Sequence, residues 1–170
     1  MAVRLAVMTV LIVALAAPAR ADPLLGSDLA AEALFLCRVA ELVTVSEAEA
    51  LLERGLAEAE QAIAADDLDA KAHFALFCNL GRRVQLRPIG LRSLTEMRRA
   101  RRELDRTLEL APRSVDALAA KGALLLALPW FLGGDREEGE RLLRQALEID
   151  PEFAYARVTL ARLREAREPS

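Results

Sequence analysis

The chain carries one histidine, His73, and two cysteines, Cys37 and Cys78. Thiolate–imidazole or soft-metal chemistry would have to begin with these three side chains. His73 and Cys78 fall on one predicted helix, but five residues is about 1.4 helical turns, so they face apart. A cysteine–histidine nucleophile needs the two groups side by side, so His73 reads as a core or groove-lining residue. No HExxH, CxxC or nucleophile-elbow pattern occurs. Gly133-Gly134-Asp135 ahead of a helix resembles a phosphate-binding start. Asp135, Glu137 and Glu138 would repel an anion there, so a turn followed by a helix cap is the better account. The residues assign no catalytic, cofactor-binding or metal-binding group, and the chain reads as a non-enzyme.

The cysteines have another use. Arg4, the apolar run Leu5 to Ala17 broken only by Thr9, and Ala19-Arg20-Ala21 follow the three-part plan of a secretory signal peptide. The run is shorter than the roughly 20 residues a spanning helix needs. Residues 1–21 are therefore expected to be a cleaved signal and 22–170 one domain, exported to a periplasm or secreted, and not transmembrane after cleavage. In an oxidising compartment an even pair of cysteines suggests a Cys37–Cys78 disulfide, worth at most about 4 kcal/mol for a loop of this length. Two buried free thiols are the alternative.

Charge offers a second candidate. The net charge is −3, which argues against a general nucleic-acid binder. Arginines nevertheless crowd the stretch from Arg82 to Arg106, against Glu96, Glu103 and Asp105. Arg82, Arg83, Arg87 and Arg92 fall in an expected connection and form a candidate docking patch for an acidic protein, lipid headgroup or polymer. Arg98, Arg99, Arg101, Arg102 and Arg106 avoid the apolar stripe of their helix and read as a solvated face, some paired at helical spacing.

Aromatics make up only 4% of the residues, and alanine, leucine, glutamate and arginine dominate, so helices are favoured throughout. Asp28 is the expected cap of a first helix, and Ser46 with Glu49 forms a capping box for a second that ends at Asp66-Asp67. A third, apolar on most sides, is expected from Asp69 to about Leu80 with Gly81 as its C-cap, followed by a connection through Pro88 and Gly90. Ser93 with Glu96 would cap the fourth helix and Ser114 the fifth, which Pro129 ends. Asp135 starts the sixth and Pro151 closes it, and a last helix begins at Ala154. Trp130 and Phe131, on the turn before the sixth helix, are expected to pin the two helices together, with contact to a partner as the alternative.

The helix ending Ala146-Leu147-Glu148-Ile149-Asp150-Pro151 has a close copy in Thr107-Leu108-Glu109-Leu110-Ala111-Pro112, and Asp67 ends an earlier unit. Small residues recur at matching places: Gly55, Ala100 and Gly139 early in the second helices, Ala62, Thr107 and Ala146 later, and Gly122 and Ala161 in the first helices. This pattern resembles the tetratricopeptide family, whose units of about 34 residues use small side chains for close helix packing. The departures are longer units, Phe77 where a small residue is wanted, and Thr107 for alanine. The resemblance implies an all-α superhelix of about three helix pairs plus a C-terminal capping helix, covering roughly residues 31–166.

The family's groove positions fall on Lys71, Phe74 and Cys78, then Asp116, Ala119, Ala123 and Leu126, then Tyr155, Val158 and Arg162. Carboxylate-clamp members carry lysine and asparagine where this chain has Phe74 and Cys78, so a clamp for acidic peptide ends is not implied. A mostly apolar groove would suit a protein helix or an apolar ligand, unless capping helices fill it. Leu128-Pro129-Trp130-Phe131-Leu132-Gly133-Gly134-Asp135 is also similar to the T-component proteins of periplasmic TRAP transporters. That resemblance implies an oligomeric accessory serving a substrate-binding protein or a small apolar ligand. The leading expectation is an exported scaffold for protein–protein interaction, with no cofactor.

Overall fold

The computed structural model describes residues 24–87 and 90–166; the expected signal segment lies outside them. Among the described residues there are seven α-helices and no strand: α1 (Asp28–Val39), α2 (Val45–Ala65), α3 (Ala70–Leu86), α4 (Leu91–Leu110), α5 (Val115–Ala127), α6 (Arg136–Ile149) and α7 (Ala154–Glu165). The helices pack as successive pairs, α1 on α2, α3 on α4 and α5 on α6, with α7 against the last pair. This is the stacked-pair arrangement of an α-α superhelix.

Local chemistry sets most helix starts. Asp69, Ser114 and Asp135 accept from the backbone N–H of Ala72, Ala117 and Glu138, as their sequence positions suggest. Three starts differ from expectation, those of α1, α2 and α4. Ser27 caps α1, accepting from Ala30 N–H at 3.2 Å, and leaves Asp28 in the first turn. The capping box of α2 forms one pattern earlier, at Thr44 and Glu47: Thr44 N–H donates to Glu47 at 3.0 Å, and Glu47 N–H donates back to Thr44 Oγ1. Both Thr44-x-x-Glu47 and Ser46-x-x-Glu49 satisfy the sequence rule, and the extended backbone at Thr44 selects the first.

The largest correction concerns α3. Gly81 does not end it; the helix runs on to Leu86. A mid-helix glycine costs about 1 kcal/mol relative to alanine. Leu86 offsets this by packing against the cluster of Cys37, Ala40, Ala48 and Leu52 from α1 and α2. Arg82 and Arg83 therefore belong to a helix and not to a connection. Helix α4 then starts at Leu91 with Gly90 in the cap position, so Ser93 and Glu96 lie inside it and form no capping box.

Two kinds of contact draw the pairs together. Gly122 of α5 and Gly139 of α6 face each other, and a Cβ on either would lie 2.8 Å from the other's carbonyl oxygen. On the first three helices, Asn79 is fully buried and donates to the carbonyls of Ala33 (2.9 Å) and Ala75 (2.8 Å), with its amide against Gly55. The disulfide Cys37–Cys78 is present and links α1 to α3 across 41 residues.

Two predictions follow from this packing. Gly122→Ala and Gly139→Ala should each destabilise the protein by about 1–3 kcal/mol, although alanine is the better helix former, because the added carbon meets backbone. Urea unfolding measures it, and a neutral or stabilising result would disprove the close contact. Replacing Cys37 and Cys78 by alanine should cost up to about 4 kcal/mol, since the open chain regains the entropy of a long loop. The same denaturation curve, with and without reductant, reads that difference.

Candidate functional site: an apolar groove

Residues of α1, α3 and α5 and of the start of α7 line an open hollow of about 720 Å³. Helix α1 contributes Leu34, Arg38 and the nearby Glu41, α3 contributes Phe74 and Phe77, and α5 contributes Asp116, Ala123 and Leu124. Phe153 and Tyr155, at the start of α7, complete the wall, and the cavity reaches Met97 and Ala100 of α4. Phe74 and Phe77 stack at a tilt, with ring centroids 5.7 Å apart. The wall is mainly apolar, and its polar groups are few. Glu41 is held by Arg82 in an ion pair, while Arg38 makes no ion pair among the described residues. Burial pushes the Arg82 guanidinium below its ordinary pKa.

The structure brings together Phe74, Cys78, Asp116, Ala123 and Tyr155 of the positions carried over from the family pattern. Lys71 lines a smaller neighbouring hollow with Phe35 and Arg38. Ala119 is buried in the core between α5, α6 and α7, and Leu126 packs against that core. Val158 and Arg162 are exposed and do not line the cavity. On α5 the groove stripe runs through Asp116, Ala120, Ala123 and Ala127, so the family spacing is off by one at Ala119 and Leu126. The α1 residues were not assigned from the sequence, although Leu34, Arg38 and Glu41 recur at helical spacing. That periodicity was the available signal.

The arginines of the expected docking patch are committed to internal partners. Glu96, nearly buried, receives Arg83 through two bonds of 2.9 and 3.2 Å and Arg92 at 3.2 Å, with Arg87 at 4.0 Å. Arg87 also reaches Glu49 at 3.6 Å, and Arg82 pairs with Glu41. This cluster ties the end of α3 to the start of α4, across the connection between them.

His73 lies in a structural clasp. It is buried, with Nδ1 2.7 Å from Glu103 Oε2 and Nε2 3.1 Å from the Asp67 carbonyl oxygen. Both partners are acceptors, so both ring nitrogens must donate and the imidazolium is the form that satisfies the site. The bond to Glu103 raises its pKa above the ordinary value, against the opposing pull of burial, with the Asp67 carbonyl adding to the rise. The clasp joins the α2–α3 turn to α4. Among the described residues no three His, Cys, Asp or Glu side chains group to hold a metal ion, and no helix is long and apolar enough to cross a membrane.

The turn between α5 and α6 overturns one expectation. Trp130 and Phe131 do not pin the helices: they are 84% and 67% exposed and touch each other edge to face at 5.8 Å. The backbone does the pinning. Gly134 N–H donates to Pro129 O at 3.0 Å and Asp135 N–H to Leu125 O at 3.1 Å, while Gly133 takes a left-handed φ of 84°. No family model matches the chain, and no curated protein matches it.

The clasp carries a pH prediction. A folded-state pKa above the unfolded one gives stability that is complete below the unfolded value near 6.5 and is lost as pH rises through the folded value. His73→Gln should therefore cost more stability at mildly acidic pH than at alkaline pH. Denaturation midpoints of the two proteins across that range test it, and a pH-independent difference would refute the charged clasp.

Proposed function

We propose that this chain is an exported, tetratricopeptide-like scaffold whose concave groove receives the apolar face of a helix from another protein. The observation that carries this reading is the cavity wall itself, with apolar side chains from all four odd-numbered helices and only a few polar groups. Helix-in-groove recognition needs such a wall, reading anchors at i, i+3 or i+4, and i+7. The Cys37–Cys78 bond agrees with an oxidising compartment.

A second reading has its own support. The cavity's volume of about 720 Å³ falls within the range of small-molecule pockets. An accessory protein that binds a small apolar ligand, or serves a substrate-binding protein like the T-components of TRAP transporters, would use the same groove.

Ala123 separates the two. It is small and partly exposed on the cavity wall, so a larger side chain there fills the groove without emptying the core. A photoreactive residue at this position should cross-link a protein partner. Ala123→Arg should weaken that partner's binding at least about tenfold, as loss of a central contact does, with thermal unfolding unchanged. Release of an apolar small molecule from the pure protein, with no protein cross-linked at Ala123, transfers the assignment to the second reading.

A further inference from the structure

A second surface lies at the turn between α5 and α6, apart from the groove. Trp130, Phe131 and Leu132 form one turn of 3₁₀ helix whose side chains are all exposed. The turn rests beside α4, for Gly133 sits so close to the Arg101 guanidinium that a Cβ there would collide with it. Arg101 belongs to a stripe of α4 that runs through Leu91, Leu94, Arg98 and Arg102 at helical spacing. Leu91 is 87% exposed and Leu94 is also exposed.

Charge gives this edge its direction. Arg98, Arg101 and Arg102 make no ion pair among the described residues, unlike the neighbouring Arg83, Arg92, Arg99 and Arg106. The nearby acids are largely engaged: Asp105 is held by Lys121 at 2.5 Å, Glu138 by Arg141 at 2.6 Å, and Asp135 caps α6. Glu137 and Asp135, whose cap bond leaves its charge in place, remain: two carboxylates against three guanidinium groups, with Arg136 and Arg144 sharing the single carboxylate of Glu140 close by in sequence. In a chain of net charge −3, this is a local cationic edge carrying protruding aromatic and aliphatic groups.

We propose that this edge docks on an anionic lipid bilayer surface. Arg98, Arg101 and Arg102 face the headgroup phosphates, and Trp130, Phe131 and Leu132 enter the boundary between headgroups and acyl chains. Indole rings favour that boundary, with an apolar body and a polar N–H, and guanidinium groups near an anionic leaflet add attraction that salt screens. The apolar groups protrude from a turn and line neither of the two hollows on the odd-numbered helices, which suits insertion into lipid.

Trp130 is the chain's one tryptophan, so its fluorescence reports this turn alone, whatever the apolar segment near the N-terminus does. Emission of the full chain should shift to the blue with vesicles containing about 30% phosphatidylglycerol in phosphatidylcholine, and brominated lipid should quench it. Pure phosphatidylcholine should have little effect, and raising salt to about 0.5 M should weaken the shift. Arg98→Gln with Arg102→Gln, both exposed, should lower partitioning about thirtyfold while the circular dichroism spectrum stays unchanged. The salt series on the unaltered protein gives an independent reading if that variant fails to fold. Absence of a shift with anionic vesicles at low salt, or a shift indifferent to both salt and the substitutions, overturns the proposal. A shift produced by an acidic protein but not by vesicles overturns it in favour of a protein-docking turn.

Discussion

An isolated helix pair cannot bury its own apolar surface, so the fold depends on how closely backbones approach within and between pairs. The contact of Gly122 with Gly139 is the clearest instance, because each lacks the one carbon that the other's carbonyl would exclude. Gly55 plays the same part for the first three helices, letting the Asn79 amide sit against the α2 backbone and bind carbonyls of α1 and α3. Elsewhere the helices leave a hollow between them, walled by Phe74 and Phe77 together with small residues such as Ala100, Ala120 and Ala123.

Polar groups then hold the ends that packing leaves loose. The disulfide fixes α1 to α3, Glu96 gathers three arginines where α3 gives way to α4, and His73 joins the α2–α3 turn to Glu103. Most of these ties span residues well apart in sequence, and the disulfide lies within the apolar cluster of Cys37, Ala40, Ala48 and Leu52. Because Glu96 is nearly buried, removing it would leave Arg83 short of its bidentate partner, and a buried unpaired charge costs more than the intact pair contributes. Arg98, Arg101 and Arg102, which make no ion pair among the described residues, share one edge of α4 with the exposed aromatic turn.

Much of the fold was legible in the residues. The helix-ending Pro112 and Pro151, the caps at Asp69, Ser114 and Asp135, and the small residues Gly55, Gly122 and Gly139 act through short-range sterics and hydrogen bonds that a linear reading can see. The groove was legible in part, because Phe74, Asp116, Ala123 and Tyr155 follow a repeat pattern. Ala119 and Leu126 face the core instead, the groove stripe of α5 running one position later through Ala120 and Ala127. Gly81 misled as well: its conformational freedom permits a helix end, but Leu86 had a cluster of α1 and α2 residues to pack against, and the helix continued.

The sequence by itself determined that this chain is helical, where most helices begin and end, and which small side chains allow close approach. The helix starts and stops depend on neighbours within about four residues along the chain, and the small residues are legible through the repeat although their contacts, such as Gly122 with Gly139, are not local. The even cysteine count suggested the Cys37–Cys78 bond, which the fold makes by bringing α1 to α3. Tertiary structure alone decided which arginines find distant partners, that His73 finds two acceptors, and that Trp130 and Phe131 face outward. Such outcomes depend on the position of a partner dozens of residues away, which no local pattern encodes.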